Sequence, residues 1–566
     1  MEPLTEGPVA DVDRAGDDRL AKTQLSDPAP KSARTIGIAS AIWGVSIFLS
    51  RIIGLVREQI VGRTLGASRE ADLYFASFTL PDFLNYLLAA GALSIVFIPI
   101  FLAHVQRGEE EAGWRAFSAI ANFIALVGGI GIVLMMVFAR PLAGIVAPGF
   151  GDAGEIDTLV RLMRIILPAQ FFHVVGGLMS ATLQAQDRHF LPAMAPLVYS
   201  VGIIAGGIVG TFLGWGADGF AWGVLVGSLV GPFGLPLIGC LRGGMRWFPV
   251  LSFRNADLRR YLVLSLPIMI GFSIVLADQW IIKNQASYLA AGELSYLQYA
   301  RTLMNVPIGV FGMAVGVASY PTLSRMVAAG RIPEAYGVLV HAVRLMLVAT
   351  FAAEVCLTLA GFEAVYLIWG AFASRFSAAD AAATGLVLAY LSIGLAGWAA
   401  QTLIARGFYA LGSTWVPTIV GTAATLALLP LYVLLRIKAG AVGLAIASSI
   451  AIMVYVFVLG FLQRRRFERE ARSRDLVLAA GPGMLDGAIR SAFAAAVAIG
   501  CGLLLRMALL PLLPGLHIGV VLLRAALLCT VGLAIYALLA RQLGLHEFGE
   551  LARIVLSRLG RRRRPA

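Results

Sequence analysis

The chain has 566 residues, of which 59% are hydrophobic and 14% are charged. Soluble domains carry about 25% charged residues, so this composition excludes a water-soluble globular protein and indicates a chain folded in lipid. The apolar runs are about 20 residues or longer, which excludes a β-barrel built from alternating strands of about 10 residues.

The net charge is +13, yet the basic residues lie in short loops between apolar runs. That pattern sets membrane topology and is not typical of a nucleic-acid-binding face, so we expect no nucleic-acid partner. The cysteines lie in or beside apolar segments and form no CxxC pair, so neither a zinc site nor a disulfide framework is indicated. They are Cys240, Cys356, Cys501 and Cys529.

Residues 1–33 are polar and predict a disordered cytoplasmic tail without a cleavable signal peptide. The apolar runs that follow predict an all-α polytopic membrane protein of about fourteen transmembrane helices. The predicted spans are 36–62, 70–104, 116–140, 158–184, 191–213, 218–241, 257–285, 293–327, 334–360, 379–411, 415–436, 440–462, 485–506 and 516–540.

Arginine is concentrated in every second loop, notably at 107–115, 242–260 and 464–474, and again at 561–564. Cytoplasmic loops carry this excess, so both termini are predicted to be cytoplasmic and the number of spans to be even.

An internal repeat divides the chain. Ala185 and Pro192 recur as Ala410 and Pro417, in each case 225 residues later. Since each half holds six spans, both halves enter the membrane from the same side and form a parallel repeat. We predict an N-lobe at 34–241, a C-lobe at 242–462, a linker with two extra spans at 463–540, and a basic cytoplasmic tail at 541–566.

Arg51 and Arg57 lie in the first span. An ionisable side chain at membrane depth costs about 2.5–3.5 kcal/mol, so it is expected to face a cavity or a partner. On a helix these two arginines differ by roughly 120° in direction and about 9 Å in height, which suits an extended anion such as a pyrophosphate. Alternatively, Arg57 marks the end of the helix and reaches the membrane interface.

Asp72 opens the second span, which also contains Pro81. The proline removes a backbone donor and should loosen the helix. Asp72 is a candidate substrate-site residue that pairs with Arg51 or Arg57; equally, it is a first-turn carboxylate favoured by the helix dipole.

Further intramembrane charges lie in the seventh to ninth spans. Asp278 is a candidate for cation or proton coupling, but it could instead pair with Lys283 or with Arg301, itself a candidate substrate-binding residue. Glu354 stands alone in the ninth span and is a second coupling candidate. No P-loop, GxSxG or HExxH motif occurs, so the sequence predicts neither an enzyme nor a metal site.

Three stretches resemble the MurJ/MviN family of the multidrug/oligosaccharidyl-lipid/polysaccharide exporter superfamily. They are residues 50–57 continuing to 71–81 and 90–99, residues 299–310, and residues 406–412. The resemblance implies a lipid II flippase of the bacterial inner membrane, with two lobes around a cationic cavity that opens alternately to each side. It implies undecaprenyl-pyrophosphate-linked glycan, the bilayer and cell-wall synthesis proteins as partners. Arg51 and Arg57 match the arginine pair of the family's first helix.

The chain departs from the family pattern at two places. The second helix usually reads Pro-Asn-x-x-Arg-Arg before Ala-Glu-Gly, but here Pro81-Asp82 is followed by no arginine; the usual Ala-Asp-Arg of the eighth helix is Ala300-Arg301-Thr302. A less cationic cavity leaves another lipid-linked oligosaccharide open as the substrate. A drug/cation antiporter of the same superfamily is a further alternative, against which the arginine pair argues. We expect no cofactor beyond a coupling cation or the membrane potential.

Overall fold

The computed structural model describes residues 49–50, 52–89, 96–252, 254–270, 274–371, 375–413, 415–478, 483–551 and 553. Within these residues the chain is helical and contains no strand, which confirms the predicted fold class. The predicted tail at 1–33 and the side chain of Arg51 lie outside the described residues.

Helices α1 to α11 form what we call the N-half. They are α1 52–65, α2 Arg69–Ser77, α3 Thr79–Ala89, α4 Ile98–Gln106, α5 Glu110–Val137, α6 Ala139–Val146, α7 Ala153–Ile166, α8 Ala169–Ala185, α9 Phe190–Leu213, α10 Ala217–Ser228 and α11 Leu235–Arg242. A π-helical turn, Leu229–Gly234, joins the last two.

Helices α12 to α20 form the C-half, and α21 and α22 follow it. They are α12 Ala256–Ile270, α13 Ile274–Ala286, α14 Glu293–Pro307, α15 Met313–Ala328, α16 Ile332–Leu359, α17 Gly361–Val365, α18 Ala378–Ser392, α19 Leu395–Ala410, α20 Trp415–Arg472, α21 Met484–Leu512 and α22 Ile518–Gln542. π-helical turns, Ile308–Gly312 and Tyr366–Gly370, follow α14 and α17.

Among the described residues, eight helical segments are long and apolar enough to cross a membrane, two of which are α7 with α8 and α10 with α11. The pair α18–α19, bent by 42°, makes a ninth. The 58-residue α20 holds two predicted spans, because its backbone leaves the helical region at Ala439 and Gly440. The chain reverses there, since Tyr455 Oη donates to the carbonyl of Pro417 at 3.3 Å. Ten of the fourteen predicted spans are thus represented.

The second predicted span is broken just before Pro81, between α2 and α3. Pro81 has no N–H to donate to the carbonyl of Ser77, four residues earlier, and α2 ends at Ser77. The hydroxyls of Ser77 and Thr79 instead donate to carbonyls of the preceding turn, those of Tyr74 and Ala76, at 2.6 and 2.8 Å. The predicted loosening of this helix is confirmed.

The two halves repeat one hydrogen bond. Glu70 Oε1 accepts from the backbone N–H of Ala217 at 2.7 Å, and Glu293 Oε2 accepts from that of Ala441 at 2.8 Å. Glu70 and Glu293 are 223 residues apart and the two alanines 224, which matches the predicted repeat offset. The glycine before each alanine has a similar left-handed backbone, with φ of 53° and 58°.

Helices α9 and α10 pack with their backbones in contact. A Cβ atom on Gly210 would lie 2.6 Å from the Cα of Gly219, and one on Gly206 would meet Gly223 just as closely. Small residues four apart allow this approach, which replaces the hydrophobic driving force that lipid does not supply.

The last two helices pack on α16 of the C-half. Tyr536 Oη of α22 donates to the carbonyl of Val348 at 3.0 Å, and Arg524 Nε pairs with the fully buried Glu363 at 2.9 Å. The segment after α22 also folds back, because Leu545 is buried and Glu547 pairs with the buried Arg344. The part of the predicted basic tail that the structure describes is therefore packed against the C-half.

Candidate substrate-transport site

Asp72 joins the two halves at the end of the molecule that the predicted orientation places outside. Its carboxylate is fully buried and accepts from the backbone N–H groups of Gly292 and Ser295 at 2.7 and 2.8 Å, and from the Ser295 hydroxyl at 2.6 Å. The first N–H groups of a helix lack partners within it, and Asp72 satisfies two of them at the start of α14.

This arrangement corrects the role expected for Asp72. Its nearest described cation is Arg69, 3.8 Å away on the same helix, and not Arg57. With both oxygens occupied and no exposed surface, Asp72 stabilises the junction between the halves and is not available to a ligand.

Other bonds between the halves close the same end. They are Tyr299 Oη to the carbonyl of Gly66 at 2.8 Å, Trp369 Nε1 to the carbonyl of Glu58 at 2.8 Å, Arg69 Nη2 to the carbonyl of Leu289 at 3.2 Å, and Gly149 N to Ser287 Oγ at 2.9 Å. All but the Glu58 contact use residues at or beside the loops of this end. The described conformation is therefore sealed at the predicted outer side.

Arg57 lies inside helix α1 and is largely enclosed by protein. The helix continues to residue 65, so Arg57 lies two turns before its end and does not mark the end of the helix. The side chain is enclosed by protein, with Tyr74 and Tyr199 nearby, yet 26% of its surface is exposed. Its guanidinium donates to Glu58 at 2.6 Å.

Another ion pair in this region joins the two halves. Lys283 Nζ of α13 lies 3.6 Å from Asp82 Oδ2 of α3. The side chain of Asp82 is surrounded by protein but 47% exposed, so it keeps an accessible surface as Arg57 does. Arg301 influences Lys283 electrostatically and lines a small recess with it, together with Gln279 and Gln298.

Arg301 and Asp278 form a pair within the C-half. Arg301 Nη2 donates to Asp278 Oδ2 at 2.5 Å, and the Tyr432 hydroxyl donates to Oδ1 at 2.5 Å. The guanidinium also lies over the ring of Trp398, 5.5 Å from its centroid. Of the two partners expected for Asp278, the structure selects Arg301, and both carboxylate oxygens are engaged.

The charges of this region therefore balance in the described state. Three cations, Arg57, Lys283 and Arg301, each meet a carboxylate, and only Arg51 lies outside the described residues. Such pairs are expected, because an unpaired charge at membrane depth costs free energy. An anion that binds these cations must replace the carboxylates.

Glu354 lies away from this region. It is buried in α16, its Oε2 atom makes no hydrogen bond within the described part of the chain, and it influences Tyr536 of α22. The structure places it toward the two extra helices and does not bring it together with Asp278.

Sequence reasoning missed two features. The pairing of Asp82 with Lys283 was not predicted, although an acid and a base at membrane depth in different spans were its signal. The buried Glu363, held by Arg524 at 2.9 Å and by Arg506 at 3.4 Å, was also overlooked. The sequence signal for this cluster was a carboxylate beside the ninth span together with two arginines within the last two predicted spans.

Comparison with known proteins agrees with this architecture. The family model described as lipid II flippase MurJ matches residues 61–549. A probable lipid II flippase MurJ of Thermotoga maritima is 28% identical over 429 residues, covering 76% of this chain and 85% of the relative. The lipid II flippase MurJ of Burkholderia cenocepacia is 28% identical over 370 residues, covering 64% and 71%.

Solved structures share the fold. An inward closed conformation of lipid II flippase MurJ matches with a TM-score of 0.71 at 20% identity, covering 89% of this chain and 99% of that chain. An inward-facing multidrug resistance transporter of the MATE family matches with a TM-score of 0.62 at 15% identity, covering 75% and 96%. Since the family model spans most of the sequence, this multi-pass membrane protein belongs to the lipid II flippase MurJ family.

Proposed function

We propose that the chain moves lipid II across the bacterial inner membrane, from the cytoplasmic to the outer leaflet, by alternating access. The observation that carries the proposal is the set of membrane-embedded cations at and beside the seam between two halves that are sealed at one end. Family membership agrees with it. With the outer end closed, the substrate enters from the cytoplasmic side.

Partner exchange links binding to movement in this proposal. The pyrophosphate of lipid II competes with Asp82 for Lys283 and with Asp278 for Arg301, because guanidinium and ammonium groups bind phosphate oxygens strongly. Loss of the Asp82–Lys283 pair removes a contact between the halves, so the anion favours a different arrangement of the two. Binding energy thereby shifts the conformational equilibrium, which requires differential affinity for the two states.

The polyprenyl tail remains in lipid while the head crosses, since an apolar chain gains nothing from a wet passage. The membrane potential or a coupling cation supplies directionality; a potential of 100 mV is worth about 2.3 kcal/mol per charge moved. Glu354 is the candidate proton site. Asp278 is a candidate only in a state in which Arg301 has left it. No step in this scheme makes or breaks a covalent bond.

A second substrate class is favoured by one observation. Arg57, Lys283 and Arg301 each already have a carboxylate partner, and the arginines that follow the family's Pro-Asn motif are absent after Pro81. A lipid-linked oligosaccharide that carries less charge than lipid II would suit a site whose charges are nearly balanced.

The test is rescue of bacterial cells depleted of their own lipid II flippase, with outer-leaflet lipid II measured by an externally added enzyme that cleaves it. The wild-type chain should restore the cleavable pool. Arg57→Gln with Arg301→Gln should fail at equal protein level, whereas the exposed control Arg115→Gln should succeed. Failure of the wild-type chain would overturn lipid II as substrate; full rescue by the double variant would overturn the site.

A further inference from the structure

A basic pocket lies on the surface of the N-half, away from the seam between the halves. Its volume is about 540 Å³, and it is formed where α6, α7 and α10 meet. Three arginines line it, Arg140, Arg161 and Arg164, and its apolar wall includes Trp222 and Leu225.

The arginines are only partly neutralised. Arg140 pairs with Asp157 at 2.8 Å and Arg161 with Asp218 at 3.1 Å. Arg164 donates through Nε to the carbonyl of Met136 at 3.1 Å, and its terminal amino groups have no hydrogen-bond partner among the described residues. Three guanidiniums face two carboxylates, so the pocket carries a surplus of one positive charge. The terminal amino groups of Arg164 remain as hydrogen-bond donors for a ligand.

The pocket lies near the predicted outer ends of three spans. Arg140, Asp157 and Asp218 lie at or within one residue of the outer ends of the predicted spans 116–140, 158–184 and 218–241. Arg161 and Arg164 lie about one and two helical turns farther in, a distance over which a long arginine side chain reaches a lipid phosphate. Large apolar side chains beside them are exposed, Val137 at 63%, Phe138 at 54% and Trp222 at 47%, as expected for a face covered by acyl chains.

We propose that this pocket binds the phosphate of an anionic glycerophospholipid in the leaflet on that side, which the predicted orientation makes the outer one. Arg164 and Arg161 hold the phosphate oxygens, and the first part of an acyl chain lies along Trp222 and Leu225. A phosphodiester with one net charge matches the surplus of one, and arginine matches phosphate geometry better than lysine does. A free phosphate ion would leave the apolar wall unused.

Quenching of tryptophan fluorescence by brominated lipids tests the proposal on the purified full-length protein in vesicles. The Trp222 signal is the difference between wild type and Trp222→Phe. Brominated phosphatidylglycerol should quench it more strongly than brominated phosphatidylcholine, and unlabelled phosphatidylglycerol should reverse the effect. Arg161→Gln with Arg164→Gln should lower the preference for the anionic lipid about tenfold.

A charge-matched control is Arg115→Gln with Arg246→Gln, two exposed arginines at the other end of the N-half that share Glu111. It should keep the preference. Equal quenching by both lipids, or equal loss in both double variants, would overturn the proposal. Reversal by polyprenyl pyrophosphate but not by phosphatidylglycerol would also overturn it and would identify an exit site for the transported head. A melting temperature equal to wild type shows that each variant is folded.

Discussion

The carboxylate of Asp82 and the ammonium of Lys283 lie 3.6 Å apart and join α3 of the N-half to α13 of the C-half. If this pair couples the halves, the effect of one charge on export depends on the charge of the other. We expect Asp82→Lys and Lys283→Asp to slow lipid II export severalfold, because each places like charges together. The exchange of both residues should restore export to within about twofold of wild type. Rates from time courses of outer-leaflet lipid II check this; a double variant as slow as both singles combined would contradict it.

Asp72 should matter for stability more than for transport. Asp72→Ala leaves backbone donors of Gly292 and Ser295 buried without partners, at a cost of about 1–3 kcal/mol each. Asp72→Asn retains an acceptor and should be milder. Thermal unfolding in detergent measures both. Glu111→Ala, which removes two exposed pairs worth about 0–1 kcal/mol each, is the control and should leave the melting temperature almost unchanged.

The buried Arg301–Asp278 pair predicts strong non-additivity. Asp278→Leu leaves the guanidinium of Arg301 uncompensated and should destabilise the protein by about 3–5 kcal/mol. Adding Arg301→Leu removes the stranded charge and should recover most of that loss, although transport stays absent because a substrate-binding cation is gone. Equal destabilisation by the single and double variants in chemical unfolding would show that the two charges do not depend on each other.

The ion pair between Glu547, which follows α22, and Arg344 of α16 should lose its stabilising effect in acid. Burial alone would raise the pKa of the Glu547 carboxyl, but the hydrogen bond and charge of Arg344 outweigh it and hold the pKa below the ordinary value of 4.5. A carboxyl with a lowered pKa contributes stability that is fully present above its unfolded pKa and disappears as pH falls through the folded one. The melting temperature of Glu547→Gln should therefore be below wild type at pH 7. The gap should shrink steadily once the pH falls below about 4.5; a gap independent of pH would contradict this assignment.

Two neighbouring glycines differ in both backbone strain and close contact. Gly214 is in the left-handed helical region, with φ 70° and ψ 21°, whereas Gly216 has φ 53° and ψ −125°, a combination that side-chain-bearing residues rarely adopt, so alanine meets more strain at Gly216. A Cβ atom on Gly216 would also collide with the Glu70 carboxylate, whereas none of the described atoms lies within 4 Å of that position on Gly214. Gly216→Ala should lower the melting temperature more than Gly214→Ala does. Equal shifts would mean that the Glu70–Ala217 bond is not a constraint.

The sequence predicted the membrane spans well because each needs a long apolar run. The span predicted at 191–213 is helix Phe190–Leu213, and that at 485–506 lies within Met484–Leu512. Breaks inside spans were harder to locate. The run at 70–104 was read as one helix, and its break near Pro81 has a local cause in the sequence.

Pairings between distant residues could not be read from the sequence, because several partners of the right charge existed for each group. Asp72 was considered as a partner of Arg51 or Arg57 or as a first-turn carboxylate, and the structure shows it bound to a helix start 220 residues away. Lys283 was considered for Asp278, yet it pairs with Asp82, 201 residues earlier. Composition reveals that buried charges need partners, and only the packing of the halves determines which ones meet. The predicted domain boundaries and the ion-coupling role of Glu354 remain predictions.

Translocation by the purified protein tests the central claim most directly. Vesicles that contain the protein and lipid II in the inner leaflet alone are sampled over time for lipid II in the outer leaflet. We predict appearance well above that in empty vesicles, and its loss in Arg57→Gln with Arg301→Gln but not in Arg115→Gln. A rate no greater than in empty vesicles, under an imposed membrane potential and ion gradient, would contradict the account.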